Sequence, residues 1–449
     1  MTDSSDATNP TPAAPERHAL SFGMVGRIYG NLGKLLGGKA VAGVISLAYL
    51  VIAVRALGTR DYGVLILVHT YVITVGGIIE FPGWQGVVRY GALASEAADT
   101  PRLIRLLRLS TVIEIVGGVA AIIVAAALAP WIGPRLGWSP TAITFAAPYS
   151  FAVLATIRST PAGYLQLRGR FDLLGLHNVV SPIVRLVGAV IAVAAGAGLR
   201  GFLIAWLVAA LAEWLSMWAL GLWVVRRDLA AERLVGSPRG AIAENPGIRR
   251  FMLAANADVT FGDLSQRLTS LIIGWVLGPV ATGIFAVAQR ATAVIAQPAG
   301  NLGQAAYAEM ARLIAAGGRG HEIRRAFVKS VSIAMGIAVP LVILIAFFGP
   351  TLARLIGGRQ FGPAGTIMLW LFAARAILLV GPPASAALVA MGMPGTSFIA
   401  NLICSLGLLP FLPLAMVAFG LPGAGAFALV QAICTAAMLG ALLWRRTSG

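Results

Sequence analysis

Arg55-Ala56-Leu57-Gly58-Thr59-Arg60-Asp61-Tyr62-Gly63 links two apolar stretches near the start of the chain, and Leu277-Gly278-Pro279-Val280-Ala281-Thr282-Gly283-Ile284-Phe285 links two more in its second half. Both read Leu-Gly, a few residues, then a second glycine, so the pair marks an internal repeat with an offset of about 220 residues. Outward from these turns, at the same offset, Gly83 falls on Gly303, Ile113 on Ile333, Pro130 on Pro350 and Gly137 on Gly357. Three extra residues then intervene, after which Gly169 and Asn178 match Gly392 and Asn401. No single match carries weight; the shared offset does.

Each repeat is built of apolar runs of roughly 18 or more residues, the length that crosses a bilayer as a helix. The first holds Gly37 to Leu57, Tyr62 to Pro82, Thr111 to Trp131, Thr141 to Ser159, Asn178 to Gly198 and Gly201 to Val224. The second holds Ala254 to Leu277, Thr282 to Gln304, Val331 to Phe348, Ala364 to Leu388, Ser397 to Phe419 and Ala424 to Leu443. The expected fold is an all-α integral membrane protein of about twelve transmembrane helices in two six-helix repeats. Composition agrees, because 58% hydrophobic and 11% charged residues leave too little polar surface for a soluble domain. Residues 1–21, rich in Ser, Thr, Pro and Ala, read as a disordered cytoplasmic tail without a cleavable signal peptide. Residues 22–225 form the first bundle, 226–250 a basic cytoplasmic linker and 251–449 the second bundle.

The 34 basic residues outnumber the 17 acidic ones, and all but Lys34, Lys39 and Lys329 are arginine. They follow the even-numbered stretches: Arg89, Arg102, Arg105 and Arg108; Arg158, Arg168 and Arg170; Arg226 to Arg250; Arg312 to Lys329; and Arg445 and Arg446 at the end. Opposite them stand only Arg60, Arg135, Arg200, Arg354 and Arg359. Positive loops stay inside, so both termini are expected in the cytoplasm, and the charge reflects topology rather than nucleic-acid binding. Phe22, Val25, Ile28, Leu32 and Leu36 beside Arg27 and Lys34, and the helix begun by Thr100-Pro101, read as amphipathic segments in the headgroup layer.

Repeats with an even number of helices start on the same side. They are related by an axis along the membrane normal, and a transport site is expected between them. Gly33-x4-Gly38-Lys39 imitates a phosphate-binding loop, but Ala40 replaces the required hydroxyl and no strand precedes it. No other nucleotide motif appears and no external loop is long enough for a catalytic domain, so neither an enzyme nor a cofactor is expected. Cys404 and Cys434 lie within apolar runs, without metal or redox spacing.

Ionisable groups at membrane depth are the candidates for function. In the seventh stretch Asn256, Thr260, Asp263, Arg267 and Ser270 share a helical face; in the eighth, Arg290, Gln297, Asn301 and Gln304 do so around Pro298; in the second, Tyr62, His69 and Glu80. These stripes suggest a shared hydrophilic cavity, although Asp263 and Arg267 also stand at the spacing of mutual neutralisation. Arg55 either snorkels to the headgroups or faces the cavity. Arg185, Arg375, Glu114 and Glu213 read as interhelical ion pairs, and His69 and His177 as hydrogen-bonded structural histidines rather than proton relays.

The two glycine turns, with the basic start before them, resemble the Wzx-type polysaccharide and oligosaccharide-lipid flippases of the MOP exporter superfamily. Ala281-Thr282, where the first turn has Asp61-Tyr62, departs from the pattern. The resemblance implies a MATE-like fold in an inward- or outward-open V, with a central cavity lined by helices 1, 2, 7 and 8. It also implies translocation of an undecaprenyl-diphosphate-linked oligosaccharide between leaflets of the bacterial inner membrane. Arg267, Arg290 and Arg55 then meet the diphosphate or acidic sugars, Asn256, Gln297 and Asn301 line the cavity, and Asp263 and Glu80 couple transport to a proton or sodium ion unless the membrane potential suffices. Membrane lipids, the lipid-linked substrate and other polysaccharide assembly proteins are the implied partners. The alternatives are a MATE-type drug antiporter and a membrane-embedded glycan polymerase or ligase.

Overall fold

Two glycines bend the longest helices of the chain. In the computed structural model, α1 (Pro15–Ile79) is broken at Gly58, with φ 68°, and α9 (Ile248–Ala315) at Gly278, with φ 82°. Only glycine adopts such a conformation without steric cost. Backbone is described for residues 15–80, 83–229, 236–315, 320–391 and 393–447, and side chains for 33, 37–80, 83–229, 236–253, 256, 260, 261, 264–292, 320–391, 393 and 395–447.

Between the two bent helices run α2 (Trp84–Glu96), α3 (Thr100–Arg135), α4 (Pro140–Tyr149), α5 (Ser159–Leu167), α6 (Phe171–Ala194), α7 (Gly198–Leu229) and the short α8 (Ala241–Glu244). After them come α10 (Gly320–Gly357), α11 (Ala364–Leu378), α12 (Gly381–Ala390), α13 (Pro394–Leu402), α14 (Leu412–Phe419) and α15 (Leu421–Thr447). Among the described residues there is no strand, and ten helical stretches are long and apolar enough to cross a membrane. The first, Gly37–Ile79, has 43 residues and would run about 65 Å if straight, twice the thickness of a hydrocarbon core. It contains the first and second expected stretches on either side of Gly58, and Leu264–Thr292 spans Gly278 between the seventh and eighth.

In the first half α6 packs on α1 and α7; in the second, α11 packs on α10, α15 and α9; the most extensive contact between the halves joins α1 to α9. One buried apolar cluster runs through both, with Leu65, Phe202 and Trp206 on one side and Phe285, Phe361, Met368 and Leu412 on the other. The outer surface is apolar as well: Trp131 is 71% exposed, Phe347 77% and Val417 78%. Such side chains are stable only with lipid as their solvent.

The glycine turns meet at one end of the molecule. A Cβ on Gly63 would overlap the carbonyl oxygen of Pro279, and one on Gly283 would overlap that of Thr59. Thr59 and Pro279 are equivalent under the repeat, so the contact is reciprocal. Tyr62 meets Phe361 edge-on at 6.5 Å between centroids, and Arg55 Nη2 donates to the Leu355 carbonyl at 2.6 Å. The halves are thus sealed at this turn end.

The opposite end carries the arginines. Asp99 caps α3, accepting from Arg102 N at 3.0 Å, with Pro101 in the first turn. Arg102, Arg105 and Arg108, in the segment expected at the headgroup layer, hold the linker. Arg102 Nε donates to Asn245 Oδ1 at 3.0 Å, Arg105 pairs with Glu244 at 2.7 Å, and Arg108 reaches the Ser237 carbonyl at 3.5 Å. The linker chain passes close enough to supply acceptors that compete with lipid phosphates. The side chains of Phe22, Val25, Arg27, Ile28, Leu32, Lys34 and Leu36 lie outside the described residues.

Candidate functional site

Away from the seal, toward the arginine-rich end, the halves part around a cavity of about 450 Å³. α1 supplies Lys39, Thr74 and Gly77 and, just past its end, Glu80; Thr156 and Arg158 flank α5; α6 supplies His177; and α9 of the other half supplies Thr260 and Arg267. Arg267 crosses between halves, donating from Nη1 to the Ile73 carbonyl at 2.8 Å. Its guanidinium lies over Gly77, where a Cβ would stand 2.5 Å from Nη1, so a side chain at 77 would displace it. The Thr260 hydroxyl sits 3.4 Å from the Gly77 carbonyl and 3.3 Å from Asn256 Oδ1. Glu80 is buried, and its Oε1 has no hydrogen-bond partner among the described residues.

Arg158 forms an ion pair with Glu213 and lies 3.1 Å from His177 Nε2, while His177 Nδ1 lies 2.9 Å from Ser216 Oγ. Glu114 makes no ion pair among the described residues. It accepts the backbone N–H groups of Ser159 and of Thr160, the latter at 2.9 Å, and so caps the start of α5.

Deeper in the first half, Arg185 also departs from the ion-pair expectation. Its guanidinium stands 4.3 Å over the Trp206 ring and 3.4 Å from both Tyr49 Oη and His69 Nε2, with no carboxylate partner among the described residues. The aromatic face supplies the electrostatic stabilisation that a carboxylate was expected to give. His69 Nδ1 lies 3.0 Å from Tyr149 Oη.

The residues expected at the site therefore separate. Arg267 and Glu80 line the cavity; Arg290 is exposed and is not among the residues lining it; Asn256 Oδ1 lies beside the Thr260 hydroxyl. Arg55 lies at the turn end, held by the Leu355 carbonyl. The side chains of Asp263, Gln297 and Asn301 lie outside the described residues. Lys39, Thr156 and Arg158 were not expected at the cavity: Lys39 and Arg158 stand at the edges of apolar stretches, where a basic residue reads as a topology signal, and Thr156 is an uncharged residue inside one. Gly38 beside Lys39 serves packing, since a Cβ there would overlap the backbone of Gly175 in α6.

Among known proteins, the chain is 28% identical over 349 residues to the inner membrane protein YghQ of Escherichia coli (strain K12), a match spanning 77% of this chain and 96% of that one. In fold it is similar to a multidrug resistance MATE family transporter of the MOP superfamily in its inward-facing conformation, with TM-score 0.68, 17% identity and coverage of 94% and 99% of the two chains. It is also similar to the lipid II flippase MurJ in an inward closed conformation, with TM-score 0.66, 12% identity and coverage of 90% and 85%. At these identities the likenesses establish the fold, which is the MATE-like one that the repeated turns implied. The model of the polysaccharide biosynthesis protein family matches residues 52–365, from the end of the first apolar stretch into α11, and the chain belongs to that family.

Proposed function

We propose that this protein is a flippase that carries undecaprenyl-diphosphate-linked oligosaccharide units from the inner to the outer leaflet of the bacterial cytoplasmic membrane by alternating access. The observation that carries the reading is the basic lining of the cavity between the halves, with Lys39 and Arg158 from the first half and Arg267 from the second. Guanidinium groups stay charged at low dielectric and hold phosphate or carboxylate oxygens with paired hydrogen bonds, so such a cavity selects an anionic head. The polyprenyl tail remains in lipid. The arginine-rich end, with both termini, faces the cytoplasm. With the turn end sealed, the cavity then opens inward. Asp263 and Glu80 are the carboxylates that a proton or sodium ion would engage, with the membrane potential as the other energy source. The buried Glu80 favours a second reading, a MATE-type drug antiporter for cations.

Vesicles reconstituted with a fluorescent undecaprenyl-diphosphate oligosaccharide separate the two. Wild-type protein is expected to exchange the lipid between leaflets, and folded Arg267→Ala and Arg290→Ala variants to lose at least about tenfold of that rate, the loss of one charge-assisted contact. A wild type that moves cationic drugs but no lipid-linked sugar would overturn the flippase reading.

A further inference from the structure

The second half contains a polar cavity of its own, about 350 Å³, apart from the groove between the halves. Its walls come from α9, α11, α13, α15 and the π turn Ile403–Gly407, all within apolar membrane-crossing stretches, and Asn401 of α13 uses its amide on the Ser397 carbonyl at 3.0 Å and Ser385 Oγ at 3.5 Å. Arg375 is the charged residue lining it among the described residues. It was expected to form an ion pair, yet among the described residues its Nη2 reaches only Gln266 Oε1, at 3.4 Å, and no ion pair includes it. No aspartate or glutamate follows Glu322, so α11 to α15 carry no carboxylate side chain, and residues 264–292 of α9, the described part beside the cavity, carry none either. A guanidinium at membrane depth without a counter-charge costs several kcal/mol unless water or an anion faces it.

The remaining polar groups decide what the cavity accepts. Thr269 donates to the Ser265 carbonyl at 2.8 Å, Thr292 to that of Gln289 at 2.7 Å and Thr435 to that of Gln431 at 2.8 Å, so these hydroxyl protons are used within their own helices. The carbonyls freed by the π turn, which would suit a metal cation, are taken as well. Gln431 Nε2 donates to Cys404 O at 3.1 Å and Ser405 O at 2.7 Å, and Ser265 Oγ donates to Ser405 O at 2.9 Å. The donors left facing the space are the Arg375 guanidinium and the amides of Gln266 and Gln289.

We propose that this cavity is a binding site for a small inorganic anion, a halide held between Arg375 and the amides of Gln266 and Gln289. The lining is net positive among the described residues, which disfavours cations, and the cavity volume of about 350 Å³ suits an ion with a few waters rather than a glycan. Gln266 immediately precedes Arg267, so one turn of α9 serves this site on one face and the groove between the halves on another.

The test uses the purified full-length protein in detergent, titrated with sodium bromide against sodium gluconate at constant ionic strength, with unfolding temperature as the readout. The wild type is expected to gain stability saturably, and Arg375→Gln to shift the midpoint by about tenfold or lose saturation, while Arg375→Lys keeps part of the response. An absent saturable response in the wild type, or an unchanged one in Arg375→Gln, overturns the site. Should Arg375→Gln not fold, crystals of the wild type soaked in bromide decide: an anomalous peak beside Arg375 supports the site, and peaks only elsewhere overturn it.

Discussion

At the turn end the two halves touch backbone to backbone, whereas at the arginine-rich end they part around a cavity and are furnished with charge. The seal consists of missing side chains: Gly63 and Gly283 each admit a carbonyl from the other half. The described ion pairs, Arg105–Glu244, Arg158–Glu213, Arg168–Asp228 and Arg170–Asp172, all lie toward the other end and tie parts of the first half and the linker to one another. Neither half is bound to the other by an ion pair at the seal among the described residues, and dispersion between close backbones falls off steeply with distance. A contact of this kind is rigid when closed and loses its attraction at once when the halves separate, which suits the alternating access proposed above. Among the described residues, charge serves instead to hold the first half and the linker together and to line the cavity.

The sharpest way to break the comparison is to put a side chain into the seal. Gly283→Val would set a branched carbon against the Thr59 carbonyl, and neither backbone can yield without separating the halves. We expect leaflet exchange to fall by more than about tenfold, and a cysteine introduced at Thr59, in a background without Cys404 and Cys434, to become reactive toward a membrane-impermeant thiol reagent. Gly336→Ala is the matched control, since nothing lies within 4 Å of a Cβ there in α10. It should leave exchange unchanged and raise helix stability by about 0.5–1 kcal/mol. Equal effects of the two substitutions would show that the glycine contact is not the seal.

A smaller effect is expected at the other end. Glu114→Ala removes the acceptor for two N–H groups at the start of α5, next to Arg158 and Ser159 at the cavity wall. Loss of a helix cap costs about 1–2 kcal/mol, so thermal unfolding in detergent should shift down and exchange fall only a few-fold. Glu114→Gln keeps a single acceptor oxygen and should lie between. A Glu114→Ala protein as stable as wild type would mean that Ser159 and Thr160 find other acceptors.

Much of this was legible because the repeat fixes where glycine must stand. Gly58, Gly63, Gly278 and Gly283 occur at one offset, and each carries a backbone demand that no other residue meets: left-handed φ at 58 and 278, close approach at 63 and 283. Arg267 and Glu80 were legible through polar periodicity in apolar helices. Lys39 and Arg158 were not, because a residue at the end of a stretch can turn toward headgroups or toward the cavity, and tertiary packing decides. The expected pairing of Arg185 and Arg375 failed for a reason present in composition: with twice as many basic as acidic residues, not every buried arginine can have a carboxylate. Trp206 takes that role for Arg185, and among the described residues nothing charged takes it for Arg375.

The smallest effect distinguishes seal from cavity at one residue. Arg55 was open to two readings, snorkelling or substrate contact, and it stands at the turn end with Nη2 on the last turn of α10. The Leu355 carbonyl it holds is among those a helix leaves unsatisfied at its C-terminus, and the guanidinium also complements the negative end of the helix dipole there. The contact crosses between halves, yet it is exposed, so water replaces it at little cost. Arg55→Ala is therefore expected to change stability by no more than about 0.5–1 kcal/mol, and exchange by less than about twofold. A tenfold loss with unchanged stability would move Arg55 into the substrate path. Loss of exchange together with enhanced labelling of a Thr59→Cys protein would instead show that this one polar contact, more than the glycines, holds the turn end closed.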